Sequence, residues 1–225
     1  MIRRDYIMRI VQEMAQVLAR VIALKSRQEY DQAMREIGAA LRQLQDAPSD
    51  TLAEPSLDDW IALCHQHGPA VGGLMTAVAQ LLAEQGEILS RQKQEKTAHR
   101  ANTLALGLTL DTLLSGETFV SAELLDRIDR LTDLSWNSLT DGGVWRRLLE
   151  YYEARGRYAQ AEDALFAWHA TGDPASQPAG LAFFARLSAL PDDELIHGNL
   201  PREEVEEGRR AFVLKRTGSN DEETH

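Results

Sequence analysis

The sequence lacks most of the features that announce chemistry. It has one cysteine in 225 residues, Cys64, so no internal disulfide can form, which suits a reducing cytoplasm. No apolar run approaches the ~20 residues that cross a bilayer. The N-terminal MIRRDYIMRIVQEMAQVLARVIALK is interrupted by Glu13 and Arg20 and does not read as a signal peptide. Basic residues are outnumbered, 24 against 35, for a formal net charge of −11. That argues against general nucleic-acid binding, which needs clustered Lys and Arg. There is no G-x-S-x-G, no phosphate-binding loop and no second Cys/His pair at a finger-like spacing. β-Branched runs are few, so strands are poorly supported.

What the chain does have is an ordinary hydrophobic fraction, 44%, and much Ala, Leu, Glu, Gln and Arg, which favour helix. The length allows one large domain or two small ones. We expect a single all-helical domain over 1–217: a first hairpin at 1–45, a linker at 46–56 and a helical body at 57–217. A polar tail, 218–225, is expected to be disordered. Charge is uneven. Residues 1–44 carry eight Arg/Lys and five Asp/Glu, a balance of +3 that leaves −14 for the rest.

The clearest architectural signal is VWRRLLEYYEARGRYAQAEDALFAWH, 144–169. Val144, Trp145, Leu148, Leu149 and Tyr152 recur at three- and four-residue steps, and Tyr158, Ala161, Leu165 and Trp168 make a second stripe. Gly156 sits between them, where a helix end can take a left-handed residue. Two amphipathic helices joined by a short turn favour an antiparallel pair. Trp145, Leu148, Tyr152, Gly156, Tyr158 and Ala161 also resemble the tetratricopeptide spacing. Leu149 departs from it where Gly or Ala is usual, Trp168 where Ala is usual, and Pro174 comes late.

Other stretches echo this unit. A helix over 3–26 carries a seam of Ile7, Ile10, Met14, Val17, Val21 and Leu24, widened by Val11 and Leu18. That seam fits a core helix or a coiled-coil contact between copies. A second helix, 29–45, repeats the later spacing 128 residues earlier through Tyr30, Ala33, Ile37 and Ala40, with Gln28 in place of the turn glycine. After the linker, Ser56 and Asp59 form a capping pair for a helix at 57–67. Helices at 70–92 and from the RQKQEK turn onward carry Gly86, Leu89, Ala98 and Ala105 at tetratricopeptide-like positions. Ser121 caps a helix at 121–134. Helix 178–190 carries Leu181, Phe184 and Leu187. Pro201, Glu203 and Glu204 mark one more helix start.

Few residues suggest a reaction. Cys64-His65-Gln66-His67 holds metal-ligand types, but adjacent helical residues point about 100° apart and would not share a tetrahedral site easily. The acidic pairs Asp58-Asp59, Asp192-Asp193, Glu203-Glu204 and Glu206-Glu207 fall at helix starts or in charged runs and read as solvated. Val71-Gly72-Gly73 lacks the Lys of a phosphate loop and reads as a close-packing site. Tyr151 and Phe166 fall off the inward stripes; they either pack on flanking helices or, if exposed, offer a partner surface.

MIRRDYIMRIVQEMAQVLARV, YYEARGRYAQAEDALF and LPREEVEEG together resemble an uncharacterised bacterial family of tetratricopeptide-repeat-like helical proteins. The resemblance implies an all-α fold of antiparallel hairpins in a short tetratricopeptide-like (α-α superhelix) array, with no assigned activity. By analogy with such repeats, the expected function is a non-enzymatic scaffold or adaptor for a protein or peptide. Groove-facing Arg146, Glu150 and Glu153 are the expected contacts, and no catalytic, metal or cofactor residue is expected. Two alternatives stand beside it: a homodimer or higher homo-oligomer using the first helix as seam, and a small-ligand protein or enzyme with a pocket between hairpins.

Overall fold

A computed structural model describes residues 2–45, 55–66, 71–116 and 120–217. Among them the chain is all-α, with eleven α-helices, one short 3-10 helix and no strand. The helices are α1 (Ile2–Ser26), α2 (Tyr30–Gln45), α3 (Leu57–Gln66), α4 (Val71–Arg91), α5 (Glu95–Leu114), α6 (Ala122–Ser135), α7 (Gly142–Ala154), α8 (Tyr158–Ala170), α9 (Ser176–Ser188), α10 (Asp192–His197) and α11 (Arg202–Thr217). The expected boundaries hold to within about two residues. Two elements lacked a sequence signal, the six-residue α10 and the 3-10 turn at Trp136–Ser138. The tail at 218–225, most of the 46–56 linker and His67 lie outside the described residues.

The chain forms two compact units, Met1–Leu139 and Thr140–His225. The sequence reading took 1–217 as one domain with its internal boundary at the linker. In the structure the first hairpin belongs to the same unit as the helices that follow the linker, with α1 and α2 both packed on α4.

In the first unit α4 is the centre, packed against α1, α2, α3 and α5. Val78, Leu81 and Ile88 are fully buried, and Leu74, Met75 and Leu89 nearly so. A helix apolar on most sides belongs inside. The α4–α5 crossing is close because Gly86 has no side chain. A Cβ there would lie 2.0 Å from Asn102 Oδ1. Ala98, Ala101 and Ala105 give the facing ridge on α5, all buried. Of the α1 seam, Ile10, Met14, Val17 and Val21 are buried inside the chain. Gly73 meets α1 at Val11, its Cβ position 3.7 Å from that side chain. Lys25 Nζ closes the contact at 2.5 Å from Glu84 Oε2 and 2.7 Å from Glu87 Oε2. Burial opposes the Lys25 charge, but the two carboxylates outweigh it and raise its pKa.

The caps read from sequence are in place. Ser56 and Asp59 bond reciprocally, Ser56 N–H to Asp59 Oδ2 at 2.9 Å and Asp59 N–H to Ser56 Oγ at 3.2 Å. Ser121 Oγ accepts from Leu124 N–H at 3.2 Å.

In the second unit Asp141 caps α7 by accepting from Gly143 and Val144 N–H. Val144, Trp145, Leu148, Leu149, Tyr152, Ala161, Leu165 and Trp168 are buried, as the two stripes require. Trp168 Nε1 donates to Asp173 Oδ2 at 2.8 Å. That bond, with Ala175 N–H, holds Asp173 below the usual carboxylate range. Helix α9 turns inward with Phe183, Phe184 and Leu187, while Leu181, expected on its apolar side, is exposed. Helix α11 seats Phe212 against Gly180, where a Cβ would lie 2.3 Å from the ring. The Phe166, Phe184 and His169 rings surround it at 5.6, 5.9 and 4.6 Å.

Candidate functional site

One local geometry recurs at three hairpins. Gln28, Lys93 and Gly156 each adopt positive φ, 63°, 61° and 66°. In each turn the next residue's N–H reaches back five positions: Glu29 to Leu24 O, Gln94 to Leu89 O and Arg157 to Tyr152 O, at 2.9–3.0 Å. Each left-handed residue bonds three positions back, to Lys25, Ser90 and Glu153 O. Each following helix opens with a bond donated by a small residue: Ala33 N–H to Glu29 O, Ala98 N–H to Gln94 O, Ala161 N–H to Arg157 O. This is the six-residue Schellman closure of a helix end. The three alanines are buried where their hairpins close. Gln28 stands in place of the turn glycine, yet its backbone takes the same left-handed φ as Gly156 despite the Cβ. Asn199, φ 56°, closes α10 in the same way, Leu200 N–H bonding Leu195 O.

With α7's apolar stripe turned inward, its other face carries the expected contact residues. Arg146 and Glu150 are one turn apart and both exposed. Glu153 continues their line, but its carboxylate is already engaged. Arg186 grips it in a two-pronged bond, Nε to Oε1 at 2.6 Å and Nη2 to Oε2 at 2.7 Å. The pair ties α7 to α9 and raises the Arg186 pKa, the Glu153 bond being the largest cause. The face therefore presents Arg146 and Glu150, with Glu153 as a structural anchor at its end.

The other sequence candidates are dispersed. Cys64 is buried, its thiol pushed up to about 12 by burial, with Asp111 adding to the effect. Its neighbour His65 is exposed, so the two do not converge. The acidic pairs named from sequence are exposed throughout; Asp59 is held low by its bonds to Ser56. Tyr151 is buried, and Phe166 belongs to the Phe184–Phe212 ring cluster, so neither is left over as a partner surface.

Two features lacked a sequence signal. A cavity of about 190 Å³ lies in the first unit, walled by Leu41, Trp60, Leu82 and Leu104 with Arg42 and Arg100 among its polar lining. In the second unit Glu162 has a buried carboxyl oxygen without a hydrogen-bond partner. Burial first, then Asp163, Glu204 and Glu207, push its pKa up to about 7. Glu162 is one of many acids in the sequence. Only the seating of α11 makes it unusual.

Residues 1–215 match the model of a family of unknown function, DUF6483. No curated protein matches the chain, and no solved structure does.

Proposed function

The chain belongs to this family of unknown function, and from that premise we propose a non-enzymatic helical-repeat scaffold or adaptor that binds a protein or peptide partner in the cytoplasm. Its array is tetratricopeptide-like. The observation that carries the reading is the shared turn at Gln28, Lys93 and Gly156, each followed at the same offset by a buried alanine. A unit that spends its apolar stripes on its own hairpin and neighbours leaves its outward residues to recognise a partner. On α7 those residues are Arg146 and Glu150. An opposite-charge pair one turn apart suits a partner segment of mixed charge, where complementarity sets specificity more than affinity.

The test compares wild-type protein with an Arg146→Ala/Glu150→Ala variant as bait in native lysate. Both residues are exposed, so the fold tolerates the change. A protein captured by wild type and lost with the variant supports the reading; identical captures, or none with wild type, reject it.

A small-ligand reading draws support from the cavity between α2, α3, α4 and α5. Native mass spectrometry of the purified protein distinguishes the two, since a retained small molecule adds mass that denaturation removes. The homo-oligomer reading rests on the α1 seam, of which Ile10, Met14, Val17 and Val21 are buried within one chain. A monomer by light scattering at high concentration would remove it.

A further inference from the structure

We propose that Glu162 is a proton-operated latch for α11: protonated, its carboxyl lets α11 seat on α8, and ionised, it loosens that contact. The geometry is specific. Helix α11 packs chiefly on α9 and meets α8 at Gly208, where a Cβ would lie 1.9 Å from Glu162 Oε1 and 3.2 Å from the Phe184 ring. The carboxyl thus occupies the space that a side chain at 208 would take. Oε1 is buried there without a hydrogen-bond partner. A neutral carboxylic acid tolerates such a place, while a carboxylate loses its hydration without replacement.

Among the described residues, the charges bearing on Glu162 are of its own sign: Asp163 beside it on α8, and Glu204 and Glu207 on α11. Two of the three ride on the element whose docking is at issue, so repulsion acts across the α8–α11 contact. One turn beyond Gly208, Phe212 is fully buried against Gly180 and Phe166. The Phe212 anchor and the Gly208 contact with Glu162 therefore lie on one helix and belong to one docking event.

The direction of the pH effect follows from linkage. The seated carboxyl titrates at about 7, above its ordinary value of 4.5. Seating is therefore favoured at low pH, is progressively lost as pH rises from 4.5 towards 7, and is constant above that.

Hydrogen exchange of α11 backbone amides over 205–212, corrected for the intrinsic pH dependence, tests this in the full-length protein at pH 5.5 and 8.5. Amides of α5 serve as the internal control. We expect α11 protection to fall about tenfold or more between the two pH values, with α5 unchanged. Glu162→Gln, a neutral isostere, should keep α11 protected at both. A Glu204→Gln/Glu207→Gln variant should move the midpoint to lower pH, because removing like charges makes Glu162 more acidic. Equal α11 protection at both pH values in wild type would overturn the proposal, as would an unaltered pH response in Glu162→Gln or an unmoved midpoint in the double variant.

Discussion

Two glycines of the second unit are required for opposite reasons, and substitution should separate them. Gly156 sits at φ +66° with no atom within 4 Å of a Cβ placed there. Gly156→Ala therefore meets no clash and costs only the left-handed backbone, about 1–2 kcal/mol. The alanine recovers about 0.4–1 kcal/mol by restricting the unfolded chain. The net loss is about 1 kcal/mol. Gly198 has an ordinary φ of −82°. A Cβ there, however, would lie 2.2 Å from the Tyr158 ring and 2.6 Å from Gly156 O. The backbone carbonyl cannot swing away as a side chain can, and Ala159 N–H bonds Gly198 O at 3.1 Å, holding the two segments together. Gly198→Ala should then cost about 2–3 kcal/mol as overpacking. Lys93→Gly completes the set: it relieves the left-handed cost at φ +61° but adds unfolded-state freedom, for a change between about zero and 1 kcal/mol of stabilisation. Urea unfolding followed by far-ultraviolet circular dichroism reads all three from midpoints and slopes. A loss in Gly156→Ala as large as in Gly198→Ala would refute the assignment of cause, and so would destabilisation by Lys93→Gly.

Phe212→Ala should destabilise the second unit by about 3–5 kcal/mol, seen as a lowered thermal midpoint, because the ring is fully buried against an unsubstituted Gly180. A double-mutant cycle on Glu153→Ala and Arg186→Ala should return a coupling of about 1 kcal/mol, limited by the 54% exposure of the arginine side chain. A thiol reagent at pH 8 should leave Cys64 unmodified in native protein and modify it in urea, since the group is buried and its pKa lies at about 12.

Periodicity made the helices legible because burial on one face leaves a repeating mark. Trp145, Leu148, Tyr152, Ala161 and Leu165 point inward as their spacing requires, and Ser56, Asp59 and Ser121 cap where their chemistry suggests. What escaped has no such mark. Gln28 and Lys93 are poor candidates for positive φ, yet the hydrogen bonds of their turns close the helix ends around them. Leu181 fits a helical stripe, yet Phe183 and Phe184 take the interior because α11 docks on their side. Glu153 has the spacing of a surface residue; the arginine that claims it lies 33 positions away. Glu162 is unremarkable until Gly208 is laid over it. A Pro-rich polar stretch such as 46–56 marks a break in secondary structure without saying whether the pieces on either side pack together; here α1 and α2 pack on α4.

The noncovalent packing of the α1–α2 hairpin on α4, closed by Lys25 with Glu84 and Glu87, is of a kind that can form between separate chains. The α1–α2 hairpin packs on α4, with Ile10, Met14, Val17 and Val21 buried and Lys25 paired with Glu84 and Glu87. The protein is thus a natural candidate for splitting. Separately expressed fragments 1–50 and 51–225 should find each other and co-purify as a stoichiometric pair. Charge reversal at Lys25, by adding a third negative group beside the two glutamates, should weaken that reunion.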